Sequence, residues 1–252
     1  MSFHRYVALG DSFTEGVGDP DPTRPNGLRG WADRLAEVLT TRVEGFTYAN
    51  LAVRGRKLPE ILAEQLGPAI QLEPDLVSMY AGGNDLMRPS VDIDAIVASY
   101  DDAIAELAAT GATVVLFTGF DARGSKVFKT MRGRTAIYNE LVREVAEKHG
   151  VVLVDFWRFP EFRDWRVWDV DRLHLGTPGH QLMAIRVLDT LGIPHALQPL
   201  ELPPLAELTS AERRKEDLTW AKSYAAPWVK RRLTGRSSGD GVQAKRPRLE
   251  PL

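Results

Sequence analysis

Short runs of apolar, β-branched residues alternate along this chain with longer stretches whose apolar positions recur every three or four residues. The runs lie at residues 6–9, 46–51, 75–80, 113–118 and 151–155. Two of them, Val114-Val115-Leu116-Phe117 and Val151-Val152-Leu153-Val154, are apolar without alternation, as strands covered on both faces of a parallel sheet are. Between the runs, Trp31, Leu35, Val38 and Leu39 share one helical face, as do Tyr138, Leu141, Val142 and Val145, and Ile93, Ile96, Val97, Tyr100 and Ile104 approximate the same period. Gly150 and Gly192 follow helical runs as stop signals, and Thr177-Pro178 reads as an N-cap followed by proline at the first helical position. Strand–helix alternation of this kind predicts an α/β fold, a parallel sheet with helices on both faces.

The pattern changes near residue 196. Residues 196–206 are rich in proline and leucine and read as a strap. Thr209-Ser210-Ala211-Glu212 is a capping box opening a charged helix. Trp220, Tyr224 and Trp228, spaced by four, would anchor that helix on the main body. The expected organisation is a catalytic-size domain at 1–195, a helical extension at 196–234 packing on it, and a basic, disordered tail at 235–252, where Ser-Ser-Gly-Asp-Gly suggests a solvated chain.

Composition narrows the function classes. Of 252 residues, 44% are hydrophobic and 26% charged, an ordinary globular balance. No apolar run approaches the ~18–20 residues that span a bilayer, and the N-terminus lacks a signal-peptide layout. There are no cysteines, so disulfides, thiolate nucleophiles and thiolate metal sites are excluded. These features together set a cytoplasmic expectation. The net charge of −2 conceals an asymmetry: residues 229–252 carry +5, leaving −7 on the rest. An acidic body argues against nucleic-acid binding by the main domain.

Candidate chemistry sits after the strands. Leu9-Gly10-Asp11-Ser12 places a serine at the carboxyl end of the first strand, where open α/β sheets hold ligands. Ser12 there is a nucleophile with its own backbone N–H available to an oxyanion, or else a helix cap or phosphate-binding turn. Ala81-Gly82-Gly83-Asn84-Asp85 follows the third strand; the Asn84 amide can donate to developing negative charge, or simply shape the turn. Asp171-Arg172-Leu173-His174 precedes the last helix of the main domain. A helical turn would put the Asp171 carboxylate against the His174 imidazole, leaving the other ring nitrogen for Ser12. Among the five histidines, His180 is the main rival to His174, while His4, His149 and His195 lie at less suitable places.

Together these segments resemble the SGNH hydrolases, the GDSL-type esterases and lipases. Gly10-Asp11-Ser12 is similar to the family's first block, with Phe13 in place of the usual leucine. Asn50-Leu51-Ala52-Val53-Arg54-Gly55 resembles the second, Gly82-Gly83-Asn84-Asp85 the third, and Asp171-Arg172-Leu173-His174 the last. The run from Gly16 to Pro20 is also similar to that of actinobacterial members. The resemblance covers roughly residues 5–192. It implies a flavodoxin-like three-layer α/β/α sandwich around a five-stranded parallel sheet. It implies Ser12, His174 and Asp171 as a catalytic triad, and Ser12, Gly55 and Asn84 as the oxyanion hole. The implied reaction is acyl-ester hydrolysis with no cofactor and no metal.

Substrate choice is less legible. Residues 18–27, stiffened by three prolines, and the aromatic segment 156–168 are expected to border the crevice. Arg123, Arg132 and Arg134 flank the loop 119–130 and would meet an anionic substrate or be solvated. The absence of an apolar lid favours a short-chain or acetyl ester, with a monomer as the expected state. Rival readings are a thioesterase or lysophospholipase with the same machinery, a metal-dependent phosphoesterase using Asp11, Asn84, Asp85, His174 and His180, and a non-catalytic flavodoxin-like binding module.

Overall fold

The computed structural model describes residues 2–125 and 128–252. In chain order the elements are β1 (Arg5–Leu9), α1 (Ser12–Glu15), α2 (Gly30–Thr40), β2 (Thr47–Asn50), α3 (Leu58–Ile61), α4 (Gly67–Gln71), β3 (Leu76–Met79), α5 (Gly83–Leu86), α6 (Ile93–Ala109), β4 (Thr113–Phe117), α7 (Arg132–His149), β5 (Val152–Val154), α8 (Thr177–Thr190), α9 (Ser210–Trp220), α10 (Ala226–Leu233) and β6 (Arg246–Glu250). One π-helical stretch joins α3 to α4 and another joins α9 to α10.

The sheet runs β5-β4-β3-β1-β2-β6. Its first five strands are parallel, as their sequence pattern predicts. Successive residues alternate between two buried layers. Tyr6 and Ala8 of β1 face Trp31 and Leu35 of α2 and Met183 and Val187 of α8, whereas Val7 and Leu9 face the layer of α3, α6 and α7. The parallel strands are thus largely apolar on both sides because each side is covered by helix. The chain leaves β1 toward β2 on one side and passes to β3 on the other. The crevice between the β1 and β3 turns is the topological switch point of such a sheet.

Two expectations change. The sheet has six strands, not five, and the tail at 235–252 is ordered rather than disordered. Arg246–Glu250 pairs antiparallel with the outer edge of β2. A charged, proline-containing sequence resembles a solvated terminus, but it is also what a short edge strand carries. The tail is fastened by Lys245, whose buried ammonium donates to Asp33 Oδ2 at 2.5 Å and to the Glu15 and Arg29 carbonyls at 2.7 Å each.

In the extension, the Thr209–Glu212 capping box forms in both directions. None of the α9 residues is fully buried. The helix is held instead by a few side chains. Trp220 Nε1 donates to the Asp171 carbonyl at 2.8 Å, and Arg172 both pairs with Asp217 at 2.7 Å and lies over the Trp220 ring. No helix among the described residues is long and apolar enough to cross a membrane.

Candidate active site

The turn after β1 is shaped by backbone that only glycine tolerates. Gly10 has φ +146°, and a Cβ there would lie 2.6 Å from the Tyr80 carbonyl. The Gln65 amide grips both its N–H, at 2.8 Å, and its C=O, at 2.9 Å. Asp11 caps α1 by accepting from Phe13 N–H at 3.0 Å, which leaves Ser12 as the first helical residue. Burial pushes the Asp11 carboxyl up to about 7.

Ser12 Oγ lies 3.0 Å from His174 Nε2, and His174 Nδ1 lies 2.5 Å from Asp171 Oδ2. The Asp–His step is a non-helical turn, contrary to the helical one expected. Arg172 takes a left-handed conformation with φ 59°, and Asp171 Oδ1 accepts the backbone N–H groups of Leu173 and His174 at 2.9 and 3.0 Å. Burial raises the Asp171 carboxyl, but its bond and charge interaction with the His174 ring, together with those two N–H donors, hold it below its ordinary value. It is therefore ionised near neutral pH.

His180, six residues on, is completely buried and bonded to backbone on both sides. Its Nδ1 accepts from Trp31 N–H at 3.2 Å, which assigns the proton to Nε2, 3.1 Å from the Val17 carbonyl. Burial lowers its pKa to about 4, so it stays neutral. It does not reach Ser12. The donor set of the phosphoesterase reading is likewise committed elsewhere: Asp85 accepts from Leu58 N–H and Asp11 from Asn84, and no three histidine or carboxylate side chains converge among the described residues.

The backbone N–H groups of Ser12 and Gly55 have no acceptor among the described residues. Asn84 ties their loops together. Its Nδ2 donates to Asp11 Oδ2 at 3.0 Å and to the Arg56 carbonyl at 2.9 Å, bracing the residue before Ser12 against the residue after Gly55. Both amide hydrogens are engaged, so a contact from Asn84 to an oxyanion has to share or replace one of these bonds. The Gly55 loop has further supports that carry no sequence signal. Glu15, fully buried, accepts Arg54 N–H at 2.7 Å and the Arg54 guanidinium at 2.6 Å. From the tail, Ser237 Oγ donates to the Gly55 carbonyl at 3.3 Å, and Gly239 lies so close to Arg54 that a Cβ would come within 2.1 Å of its carbonyl.

Two cavities meet at Ser12 and His174. One, about 110 Å³, is walled by Phe13, Tyr80, Met131, Phe156 and Trp168 and is mainly apolar. The other, about 420 Å³, is roofed by Trp220, Tyr224, Trp228 and Val229 of the extension and reaches Gly55 and Asn84. Of the aromatic segment 156–168, Phe156 and Trp168 therefore face the crevice, while Phe162 is core and Trp157 stacks under Arg132. Residues 18–27 line neither cavity, contrary to expectation. Gly18 packs on the Leu175 carbonyl, Asp19 forms a buried pair with Arg34, and Asn26 bonds to the tail at Gln243. The arginines of the 119–130 loop are also internally engaged. Arg123 and Arg132 pair with Asp121, and Arg134 donates to the Arg88, Pro89 and Val91 carbonyls. Residues 126 and 127 of that loop lie outside the described residues.

A serine hydrogen-bonded through histidine to aspartate, at the switch point of a mostly parallel sheet, is the arrangement of an acyl-transfer hydrolase. The chain belongs to the GDSL-like lipase/acylhydrolase family, whose model matches residues 8–182. Over 87 residues it is 34% identical to YpmR of Bacillus subtilis (strain 168), an uncharacterized protein. That match spans about a third of each chain, 32% in both cases. Among solved structures it is similar to LAE5, an α/β hydrolase enzyme from the metagenome of Lake Arreo, Spain. Identity there is 26% and the TM-score 0.64, covering 77% of this chain and 97% of the other. It has the fold of Axe2, an acetylxylan esterase from Geobacillus stearothermophilus, with 23% identity and a TM-score of 0.64 over 76% and 95% of the two chains.

Proposed function

We propose that this chain is a carboxylic ester hydrolase acting on short acyl esters, acetyl esters above all. The observation that carries the reading is the Ser12–His174–Asp171 hydrogen-bond chain standing at the mouth of a small apolar cavity. Ser12 Oγ attacks the ester carbonyl as His174 Nε2 takes its proton. Asp171 holds the Nδ1 proton and stabilises the imidazolium without accepting that proton. The Ser12 and Gly55 N–H groups, free of internal acceptors, receive the oxyanion, and Asn84 holds their loops in register and supplies a third donor. His174 then protonates the leaving alcohol. Water, deprotonated by the same ring, releases the acid from Ser12.

A volume of about 110 Å³ suits an acetyl or similarly short acyl group, which sets the lysophospholipase and long-chain readings behind the short-chain one. The larger cavity, with Trp220, Tyr224 and Trp228, suits the alcohol portion. The test is a p-nitrophenyl ester series from acetate upward, with fluorophosphonate labelling of Ser12. The expected result is one label per chain, absent in Ser12→Ala, and kcat/KM falling by at least about tenfold between butyrate and octanoate as the acyl chain outgrows the cavity. Labelling that persists in Ser12→Ala would overturn the assignment.

A further inference from the structure

Asn84 and Gly55 also line a third space, a cleft of about 200 Å³. Its other walls come from the start of α3, the end of α5, and residues 228–240 of the extension and tail. Five lining side chains are basic, Arg56, Lys57, Arg88, Arg231 and Arg236, against two acidic ones, Glu60 and Asp240. The acidic groups are already used. Glu60 pairs with Lys57 at 2.9 Å, and Asp240 caps the Ser237 N–H at 3.0 Å. Arg56 lies 2.9 Å from Glu64, but its Nε lacks hydrogen-bond geometry to any group. Arg88, Arg231 and Arg236 have no side-chain acceptor among the described residues and come from two segments, the turn after α5 and the end of α10 with the turn that follows it. Residues 1–228 sum to a net charge of −7, whereas the charged lining of this cleft is five basic side chains against two acidic ones.

We propose that the cleft binds an anionic group, phosphate or carboxylate, carried on the alcohol portion of the ester. The proposal rests on the reading of Ser12 as nucleophile and names the substrate class for that site. The geometry assigns the anion to the alcohol side. The acyl side is the apolar cavity, whereas the cleft shares Gly55, Trp228, Arg231 and Ser238 with the larger space that the leaving group occupies, and none of these four lines the apolar cavity. Guanidinium groups bind phosphate and carboxylate oxygens through paired N–H donors. Arginines that line one cleft without internal carboxylate partners leave their N–H donors available to a negatively charged ligand. The basic run of the extension, which catalysis itself does not use, thereby acquires a role through Arg231 and Arg236.

The test uses three acetyl esters of para-substituted phenols, bearing a phosphate, a carboxylate or a neutral carboxamide. The full-length chain is expected to favour at least one anionic ester over the carboxamide by about tenfold or more in kcat/KM, and the two anionic arms tell phosphate from carboxylate. In the Arg88→Gln/Arg231→Gln double variant the anionic-to-neutral ratio should fall toward one. All three of Arg88, Arg231 and Arg236 are exposed, so these substitutions leave the core intact. Isothermal titration of phenyl phosphate and benzoate into both proteins gives a readout independent of turnover. Binding weakened at least about fivefold in the double variant supports the cleft even if no ester is hydrolysed. A ratio near one for the unaltered chain, or a preference and affinity that survive both substitutions, overturns the proposal. Failure of Ser12 labelling with intact anion binding would instead sink the hydrolase reading and leave the cleft standing.

Discussion

His174 and His180 stand six residues apart on either side of the start of α8, yet their environments share almost nothing. The ring of His174 is partly exposed and bonded to two side chains, Ser12 and Asp171. The ring of His180 is completely buried and bonded to two backbone groups, Trp31 N–H and the Val17 carbonyl. The His174 ring thus bridges a carboxylate and a hydroxyl, both of them side chains. A proton on His180 Nδ1 would displace a fixed backbone donor in a fully buried site. The difference teaches that the partners of an imidazole, rather than its place in the chain, decide whether it works as a base or as a buried strut.

The largest expected effect comes from exchanging the two roles by mutation. His174→Ala should lower kcat by roughly 10⁴–10⁶-fold with an unchanged melt, while His180→Ala should retain most activity per folded molecule. Steady-state rates normalised to the folded fraction check this, and the opposite pattern would move the base to His180. Next comes Asn84, whose amide is committed like His180 but to loops of the site. Asn84→Ala should cost about 10²–10³ in kcat with little change in KM, measured by kinetics alongside thermal melting. A near-normal kcat would class it with His180 as a strut.

The smallest effect is on stability. His180→Gln should cost about 2–4 kcal/mol at pH 7, because Trp31 N–H and the Val17 carbonyl lose well-placed partners. The sign of the pH dependence follows from burial, which lowers the ring's pKa from 6.5 to about 4. Unfolded, the ring gains a proton below 6.5; folded, it resists until about 4. The stability contributed by the neutral ring is complete above 6.5 and lost as pH falls toward 4, a change of about 3 kcal/mol. Asp11 acts in the opposite sense. Its pKa rises from 3.8 to about 7 on folding, so its contribution is lost as pH rises through 7. The informative quantity is therefore the difference between the unaltered chain and His180→Gln, read by urea unfolding at pH 7 and pH 4. That deficit should shrink on acidification, and an equal deficit at both values would mean the ring is not held neutral.

What was legible in the sequence was local. Continuous apolar runs mark strands wherever both faces are covered, as in β4, and Ser12, Asn84 and His174 each sit within a few residues of a strand end or helix start that composition announces. The Asp three residues before His174 distinguishes it from His180, although the turn that joins them depends on left-handed Arg172 rather than on helical spacing. What was not legible was long-range. The partner of Lys245 is Asp33, 212 residues away, and neither residue type suggests burial by itself. Residues 18–27 looked like a crevice border because they follow the Ser12 turn, but Asp19 meets the Arg34 guanidinium and turns that loop inward.

The pairing of β6 with β2 has a consequence for the making of the protein. Translation delivers the Ser12 turn first, whereas the strand that covers the β2 edge and the loop that rests on Gly55 come about two hundred residues later. Until they arrive, a nascent chain presents an open strand edge to its neighbours, with Asp33 awaiting its counter-ion. Contacts of such sequence separation form slowly. Crowded synthesis thus places this chain at risk of edge-to-edge association, and the hazard ends when Lys245 docks.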